Sequence, residues 1–259
     1  MSKAHVRGLE LAYEDVGEGV PVVLLHGFPF NRSLWREQVA ALKASHRVIT
    51  PDLRGFGETT ATSEPATMEM MAEDVAALLD ELKLERVVLG SLSMGGYVAL
   101  AFYRLFPARV RALMLADTRP QADTAEARAN RETLAQRALN EGMQPIADAM
   151  LPKLLTPATH KEQPEIVARV REMIMTTSPV GAAAALRGMA VRRDQTDLLP
   201  EINVPTLIIV GSEDAITPPQ EAELMHRAIR GSLLKVIAGA GHCANLERAD
   251  EFNRVLTNQ

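Results

Sequence analysis

The sequence lacks the residues on which several common kinds of site and scaffold depend. Its 259 residues include a single cysteine, so neither an intrachain disulfide nor a cysteine-rich zinc site can form. Aromatic residues make up only 4%, and no run approaches the roughly 18 apolar residues of a membrane-spanning helix. Charge of one sign is not in large excess, because 28 Lys and Arg stand against 33 Asp and Glu. We therefore expect neither a nucleic-acid partner nor a membrane partner.

The overall balance of residues is that of a globular protein with an ordinary core. Hydrophobic residues make up 47% of the chain and charged residues 24%, which argues against disorder. Residues 1–17 carry charges where a secretory signal would need an apolar run, so we expect a cytoplasmic location. The sequence alone sets no oligomeric state.

Short apolar runs bounded by turn residues recur along the chain. Runs of this kind, rich in Val, Ile and Leu, predict strands that are buried on both faces of a parallel sheet. The predicted strands are Val22–Leu25, Arg47–Thr50, Val87–Gly90, Val110–Ala116, Thr206–Val210 and Leu233–Ile237. Helical spacing of apolar residues between them predicts an α/β fold with a doubly wound, mostly parallel sheet. We expect the opening segment, Val6 to Val16, to add antiparallel edge strands.

One long segment, residues 119–199, breaks this alternation. It shows no strand pattern, only helical stretches separated by prolines. The first stretch, Asp123–Glu141, is strongly charged and is predicted to face the solvent, whereas the others carry methionines that suit an adaptable cavity. These methionines are Met143, Met150, Met173, Met175 and Met189. We predict a helical cap at 119–199 on a core formed by 1–118 and 200–259; helices that merely extend the core are the alternative.

The sharpest motif is S-L-S-M-G-G at positions 91–96, between a predicted strand and the apolar stretch Tyr97–Phe106. A strand that turns sharply into a buried helix needs small neighbours at the turn, and Ser91, Gly95 and Gly96 supply them. The turn lifts the Ser93 hydroxyl to the positive end of the helix dipole, which favours a developing alkoxide. Ser93 is therefore the predicted nucleophile. Ser91 is the alternative, but that register would leave Gly95 and Gly96 without a role.

This strand–turn–helix motif resembles the nucleophile elbow of the serine hydrolases of the α/β-hydrolase superfamily, and the resemblance covers essentially the whole chain. The similar members include carboxylesterases, enol-lactonases and the cofactor-free haloperoxidases that act as perhydrolases. Ser91 departs from the usual pattern, because glycine is commoner there, and we expect slight strain in the turn. The resemblance implies an α/β-hydrolase fold and a Ser-His-Asp triad that needs no metal and no organic cofactor.

The resemblance also implies the partners of Ser93. Asp214 and His242 each follow a predicted strand, in the family's chain order of serine, acid and histidine. His242 is implied as the general base and Asp214 as the acid that orients it. Glu213, which is adjacent, and Asp117, after an earlier strand, are the alternatives for the acid.

The H-G-F-P sequence at positions 26–29 matches the family's oxyanion loop. The match implies that the amides of Phe28 and Met94 form the oxyanion hole. Each amide is expected to lower the activation barrier by on the order of 3 kcal/mol. His26 is expected to hold the loop by hydrogen bonds, with Gly27 as a further supporting residue. Cys243, beside His242, is expected to be a packing residue.

Three functions follow from these residues. The first is a carboxylic-ester hydrolase that acts on small to medium esters or lactones through an acyl-enzyme. The second is a perhydrolase, in which hydrogen peroxide intercepts the same acyl-enzyme. The third is a ligand receptor that keeps the fold and the triad. In all three the expected partner is a small molecule.

Overall fold

The computed structural model describes residues 2–257, and within them eight strands form one sheet. The strands are β1 (Ser2–Val6), β2 (Leu9–Val16), β3 (Val20–Leu25), β4 (His46–Pro51), β5 (Val87–Leu92), β6 (Val110–Ala116), β7 (Thr206–Gly211) and β8 (Leu233–Ile237). Their order across the sheet is β1-β2-β4-β3-β5-β6-β7-β8. The pairs β1–β2 and β2–β4 are antiparallel, and strands β3 to β8 run parallel. The predicted α/β fold with a mostly parallel sheet and antiparallel edge strands is confirmed.

Eleven α-helices accompany the sheet in the described part of the chain. They are α1 (Arg36–Leu42), α2 (Met68–Glu81), α3 (Met94–Leu105), α4 (Ala125–Glu141), α5 (Gln144–Leu154), α6 (Pro157–Glu162), α7 (Pro164–Met175), α8 (Pro179–Ala190), α9 (Pro219–Ala228), α10 (Ala244–Glu247) and α11 (Ala249–Thr257). Short 3-10 helices lie at Arg32–Trp35, Pro107–Arg109 and Thr196–Glu201. None of the helices between residues 2 and 257 is both long and apolar enough to cross a lipid bilayer.

Helices α2 and α3 show how local sequence fixes these elements. Thr67 caps α2, since its hydroxyl accepts the amide hydrogen of Met70 at 3.1 Å, and the helical repeat of apolar residues then packs one face into the core. Helix α3 is buried from Met94 to Tyr103, as its continuous apolar sequence predicts. It begins directly after Ser93, the residue at the turn that follows β5.

Residues 119–199, all of which the structure describes, contain helices α4 to α8 and no strand. Prolines stand in the first turn of α5 to α8, where a missing amide hydrogen breaks no helical hydrogen bond. The stretch predicted as a solvent-facing helix from Asp123 begins instead at Ala125, and Thr124 caps it. The prediction is wrong for Asp123, which is buried because arginine side chains surround its carboxylate.

The methionines of this segment do not share one environment. Met143, Met173 and Met189 are buried, whereas the Met175 residue is 40% exposed. The five methionines therefore do not all line one cavity, because Met175 faces the solvent.

Candidate active site

The turn between β5 and α3 places Ser93 in an uncommon backbone conformation. Its φ of +56° and ψ of −117° lie where non-glycine residues are rare, at a cost of about 1–3 kcal/mol. The Ser93 amide donates to the Ala116 carbonyl at 3.0 Å, and the Thr118 hydroxyl donates to the Ser93 carbonyl at 2.8 Å. Bonds to the end of β6 thus hold the strained residue in place.

The small residues around this turn are explained by how closely the chain packs there. A Cβ atom on Gly95 would lie 2.4 Å from the Leu25 carbonyl oxygen, and one on Gly96 would lie 2.3 Å from Thr118 Oγ1. Ser91, where glycine is commoner in the family, keeps regular strand pairing opposite Leu25. Its hydroxyl donates to the Met114 carbonyl at 3.0 Å, so the buried polar atom has a partner.

The imidazole of His242 lies between Ser93 and Asp214. Its Nε2 is 2.8 Å from Ser93 Oγ, and its Nδ1 is 2.8 Å from Asp214 Oδ2. Because Asp214 accepts at Nδ1, that nitrogen carries the hydrogen, and Nε2 is left to accept the proton of the serine hydroxyl. The structure therefore brings these three predicted residues into one hydrogen-bonded chain.

Asp214 is held by several donors in the loop after β7. Its Oδ1 accepts the amides of Ile216 at 2.8 Å and Thr217 at 3.0 Å, and its Oδ2 accepts the Thr217 hydroxyl at 2.7 Å. Burial alone would raise the pKa of Asp214. The charge and hydrogen bond of His242, with the donors of Thr217, outweigh burial and hold this pKa below its ordinary value. The carboxylate is therefore ionised and fixed towards the imidazole.

The two alternative acids occupy different positions. Glu213 is exposed, and its amide donates to the Ala240 carbonyl at 2.8 Å. Asp117 is buried directly after β6, where its Oδ1 accepts the Gly211 amide at 2.8 Å. The acid that the structure places against His242 Nδ1 is Asp214.

His26 joins the loop after β3 to the residues that follow β4. The amide of Leu53 donates to His26 Nε2 at 3.0 Å, so the ring hydrogen is on Nδ1, which donates to the Gly27 carbonyl at 2.9 Å. Burial lowers the pKa of His26, which keeps the ring neutral. Its edge packs on Phe56, with ring centroids 5.1 Å apart. The predicted supporting role of His26 thus has a structural basis.

The loop after β3 approaches the nucleophile closely. A Cβ atom on Gly27 would lie 3.1 Å from Ser93 Cβ, so only glycine leaves the loop room there without a shift of its neighbours. Phe28 follows Gly27, and Met94 is the first residue of α3, where backbone amides have no acceptor within the helix. Both residues are buried beside Ser93, in the part of the structure where the oxyanion hole is predicted.

A residue that the sequence pattern did not reveal, Glu247, holds the loop of His242. Its Oε1 accepts the amide of Gly241 at 2.8 Å, and its Oε2 accepts the amide of Thr156 at 2.8 Å and the hydroxyl of Thr159 at 2.5 Å. The carboxylate thus connects the residue before His242 to the 119–199 segment. No local signal marks it, because Thr156 lies 91 residues upstream.

Cys243, the residue after His242, is a buried free cysteine. Burial raises the pKa of the Cys243 thiol well above its ordinary value, so the side chain is a neutral packing group. Its amide donates to the Leu154 carbonyl at 3.1 Å. Within residues 2–257, His, Cys, Asp and Glu side chains form no group of three or more that could hold a metal ion.

Comparison with known proteins identifies the family of the chain. The family model of the alpha/beta hydrolase fold matches residues 20–249. The chain belongs to this family. Among the similar proteins is a putative non-heme chloroperoxidase of Synechocystis sp., 34% identical over 96% of this chain and 94% of the relative. The predicted membership of the alpha/beta hydrolases is therefore confirmed.

Two solved structures of this family superpose closely. A thermophilic esterase from Thermogutta terrifontis is 45% identical, with a TM-score of 0.97 over 99% of this chain and 96% of the other. The enol-lactonase from Burkholderia xenovorans LB400 is 32% identical, with a TM-score of 0.93 over 99% and 98% of the two chains. The chain is accordingly an enzyme of the hydrolase class.

Proposed function

We propose that this hydrolase cleaves carboxylic esters or lactones of small to medium size through an acyl-enzyme on Ser93. The observation that carries the proposal is the chain from Ser93 Oγ through His242 to Asp214, with both hydrogen bonds at 2.8 Å. A serine hydroxyl is a weak nucleophile unless a base is within hydrogen-bonding reach, and this arrangement supplies one. The similarity to the esterase and to the enol-lactonase supports the same substrate class.

In the first half of the reaction, His242 Nε2 takes the hydroxyl proton while Ser93 Oγ bonds to the carbonyl carbon. The oxygen that becomes negative is stabilised by the amides of Phe28 and Met94. Collapse of this intermediate breaks the bond to the alcohol, which receives the proton from His242. In a lactone the alcohol stays attached to the acyl group, so the ring opens.

In the second half, water takes the place of the alcohol. His242 removes a proton from the water as it attacks the acyl carbon, and then returns that proton to Ser93 as the acid leaves. Asp214 stabilises the imidazolium that forms in each half and stays ionised throughout.

The 119–199 segment is proposed as a cap that bounds the substrate site. The hydroxyl of Thr177 donates to the Pro29 carbonyl at 2.7 Å, in the loop of the oxyanion hole, and the Leu154 carbonyl accepts the Cys243 amide. The segment therefore contacts both loops next to the nucleophile. Because Ser93 is only 9% exposed, a closely bounded site of this kind favours small and medium substrates.

Perhydrolysis is the second candidate, and the 34% identity to a putative chloroperoxidase favours it. Hydrogen peroxide would attack the acyl-enzyme in place of water, and the products would be a peracid and free Ser93. A receptor without turnover is a weaker alternative, because the hydrogen-bonded chain of Ser93, His242 and Asp214 is complete.

The test is a panel of p-nitrophenyl esters of graded acyl length and several lactones, each assayed with and without hydrogen peroxide. We expect turnover of the shorter esters that disappears in Ser93→Ala. Peracid formation far faster than hydrolysis on the same acyl donor would favour the perhydrolase. Tight binding of a small molecule without any turnover would favour the receptor.

A further inference from the structure

A buried carboxyl group beside the proposed triad takes no part in the reaction described above. Asp117 directly follows β6 and is 1% exposed. Its φ is +46°, a conformation that aspartate and asparagine tolerate better than most residues. Its amide donates to the Ile209 carbonyl at 2.9 Å, which fixes the residue between the ends of β6 and β7.

The two carboxyl oxygens of Asp117 differ in their surroundings. Oδ1 accepts the Gly211 amide at 2.8 Å, whereas Oδ2 is fully buried and meets no hydrogen-bond donor within residues 2–257. A buried ionised carboxylate with an unpaired oxygen is strongly disfavoured. A protonated oxygen needs an acceptor instead. Gly211 joins Asp117 to Asp214, because its amide donates to Asp117 Oδ1 at 2.8 Å and its carbonyl accepts the Asp214 amide at 3.2 Å.

Three buried carboxyl groups, Asp117, Asp214 and Glu247, accept amide hydrogens in or beside the loops of the proposed triad, and they differ in the number of donors that stabilise the ionised form. Asp214 has four donors, which are two amides, one hydroxyl and the His242 ring. Glu247 has three, which are two amides and one hydroxyl. Asp117 has one. The group with the fewest donors is the one that holds a proton when the three compete.

The remaining titratable neighbours are consistent with this order. Burial raises the pKa of Asp117 well above its ordinary value, and the negative charges of Asp214 and Glu247 raise it further. Cys243 is a neutral thiol, and His242 Nδ1 contacts the Asp214 carboxylate.

We propose that Asp117 is a neutral carboxylic acid in the folded protein and that its Oδ2–H donates a hydrogen bond to the Asp214 carboxylate. The proton stays on Asp117 throughout the cycle, so Asp117 is a positioning residue and not a catalytic one. Its neutrality limits the negative charge near His242. A second full negative charge there would favour the imidazolium form electrostatically, and only a neutral ring can accept the Ser93 proton.

The catalytic part of this inference rests on the proposed ester hydrolysis, whereas the protonation state does not. Asp117→Asn separates the two possible states, because an amide keeps both the donor to Asp214 and the acceptor for Gly211 without any charge. Glu213→Gln is the matched control, since it removes an exposed carboxylate from the same loop as Asp214.

The first measurement is the pH profile of kcat/KM for a p-nitrophenyl ester. If Asp117 is neutral, the apparent pKa of the acidic limb in Asp117→Asn stays within about 0.3 of the wild-type value, as in the control. If Asp117 is ionised, loss of its charge lowers that apparent pKa by about one unit or more, which would overturn the proposal.

The second measurement needs no activity and therefore stands even if the proposed function fails. Infrared spectra of the wild-type protein at pH 7 are expected to contain a protonated-carboxyl C=O band that is missing in Asp117→Asn. If the variant does not fold, the wild-type spectrum alone still overturns the proposal when it contains no protonated-carboxyl band at pH 7.

Discussion

The loops that carry Ser93, Asp214 and His242 and the helical segment 119–199 are held in place by different kinds of contact. The loops combine backbone hydrogen bonds between neighbouring strand ends, such as the Ser93 amide to Ala116 and the Glu213 amide to Ala240, with the bond from the Gly241 amide to Glu247. The segment relies more on side chains, such as Thr177 on the Pro29 carbonyl. Because a backbone hydrogen bond survives most side-chain substitutions, we expect the strand ends to tolerate substitution better than the side-chain contacts of the segment and of Glu247.

The largest effect is expected from a substitution that removes the nucleophile at the edge of the sheet and leaves the 119–199 segment unchanged. Ser93→Ala should lower kcat for ester hydrolysis by about 10⁴-fold or more, because the acyl-enzyme can no longer form. Steady-state assays on a p-nitrophenyl ester measure this loss, and an unchanged circular dichroism spectrum shows that the fold remains. Substantial turnover by the variant would remove Ser93 from the mechanism.

The next effect weakens the segment and leaves the edge intact. The Asp123 carboxylate contacts Arg119, Arg131 and Arg192, and the Arg192 side chain is only 2% exposed. Asp123→Asn leaves that buried arginine without its counter-charge and should lower the free energy of unfolding by about 3 kcal/mol at pH 7. Urea unfolding measures the change. Asp148→Asn, at an exposed position in α5, is the control and should change little.

The stability difference between the wild-type protein and Asp123→Asn is expected to depend on pH. Burial would raise the pKa of Asp123, but Arg131 and Arg192 outweigh it and hold the pKa below its ordinary value. A group with a lowered folded-state pKa stabilises the protein above its unfolded pKa, and this contribution is lost as the pH falls through the folded value. The difference in unfolding free energy between wild type and Asp123→Asn should therefore shrink as the pH falls below about 4. A difference that grew on acidification would contradict this sign.

A smaller effect, on kcat, is expected where Glu247 connects the loop of His242 to the 119–199 segment. Glu247→Ala leaves the amides of Gly241 and Thr156 without their acceptor and loosens the loop of His242. We expect kcat to fall by about tenfold to a hundredfold, with a smaller change in KM, because the base is misplaced while the substrate site persists. Glu251→Ala, in α11, is the control. Equal kinetics in the two variants would show that Glu247 does not position His242.

The smallest effect is expected inside the sheet. Ser91→Gly removes one hydroxyl, which donates to the Met114 carbonyl, and restores the residue that is commoner in the family. The loss of one hydrogen bond and the greater freedom of glycine should lower the free energy of unfolding by about 1–2 kcal/mol and leave kcat within twofold. Thermal unfolding and ester assays check both values. A large loss of activity would mean that Ser91 contributes more than packing.

The difference between the two regions also explains what could be predicted from the sequence. The strands and the turn at Ser93 depend on neighbours in the chain, so apolar runs and small residues indicated them correctly. The contacts of Glu247 and the burial of Asp123 depend on residues that are remote in sequence, and no local pattern encodes them. A charged stretch indicates solvent exposure on average, and this expectation is wrong where the partner is a buried arginine such as Arg192.

In the predicted site, too, some features were indicated by the sequence and others were not. Ser93, Asp214 and His242 each follow a recognisable strand, and the resemblance to the family implied that they group together. Parallel strands bring their carboxyl ends to one edge of the sheet, which is consistent with that grouping. Which acid faces His242 did not follow from spacing, because Glu213 and Asp214 are adjacent and only side-chain direction separates them. The catalytic roles of these residues, and of Phe28 and Met94, remain predictions for kinetic tests.

The central claim is that Ser93 carries the acyl group during turnover. The direct measurement is acid quenching of the enzyme during steady-state hydrolysis of a p-nitrophenyl ester, followed by peptide mass mapping with fragmentation. The account predicts an added acyl mass on Ser93, absent in Ser93→Ala. An acyl group on Ser91 or on any other residue, with turnover undiminished in Ser93→Ala, would contradict it.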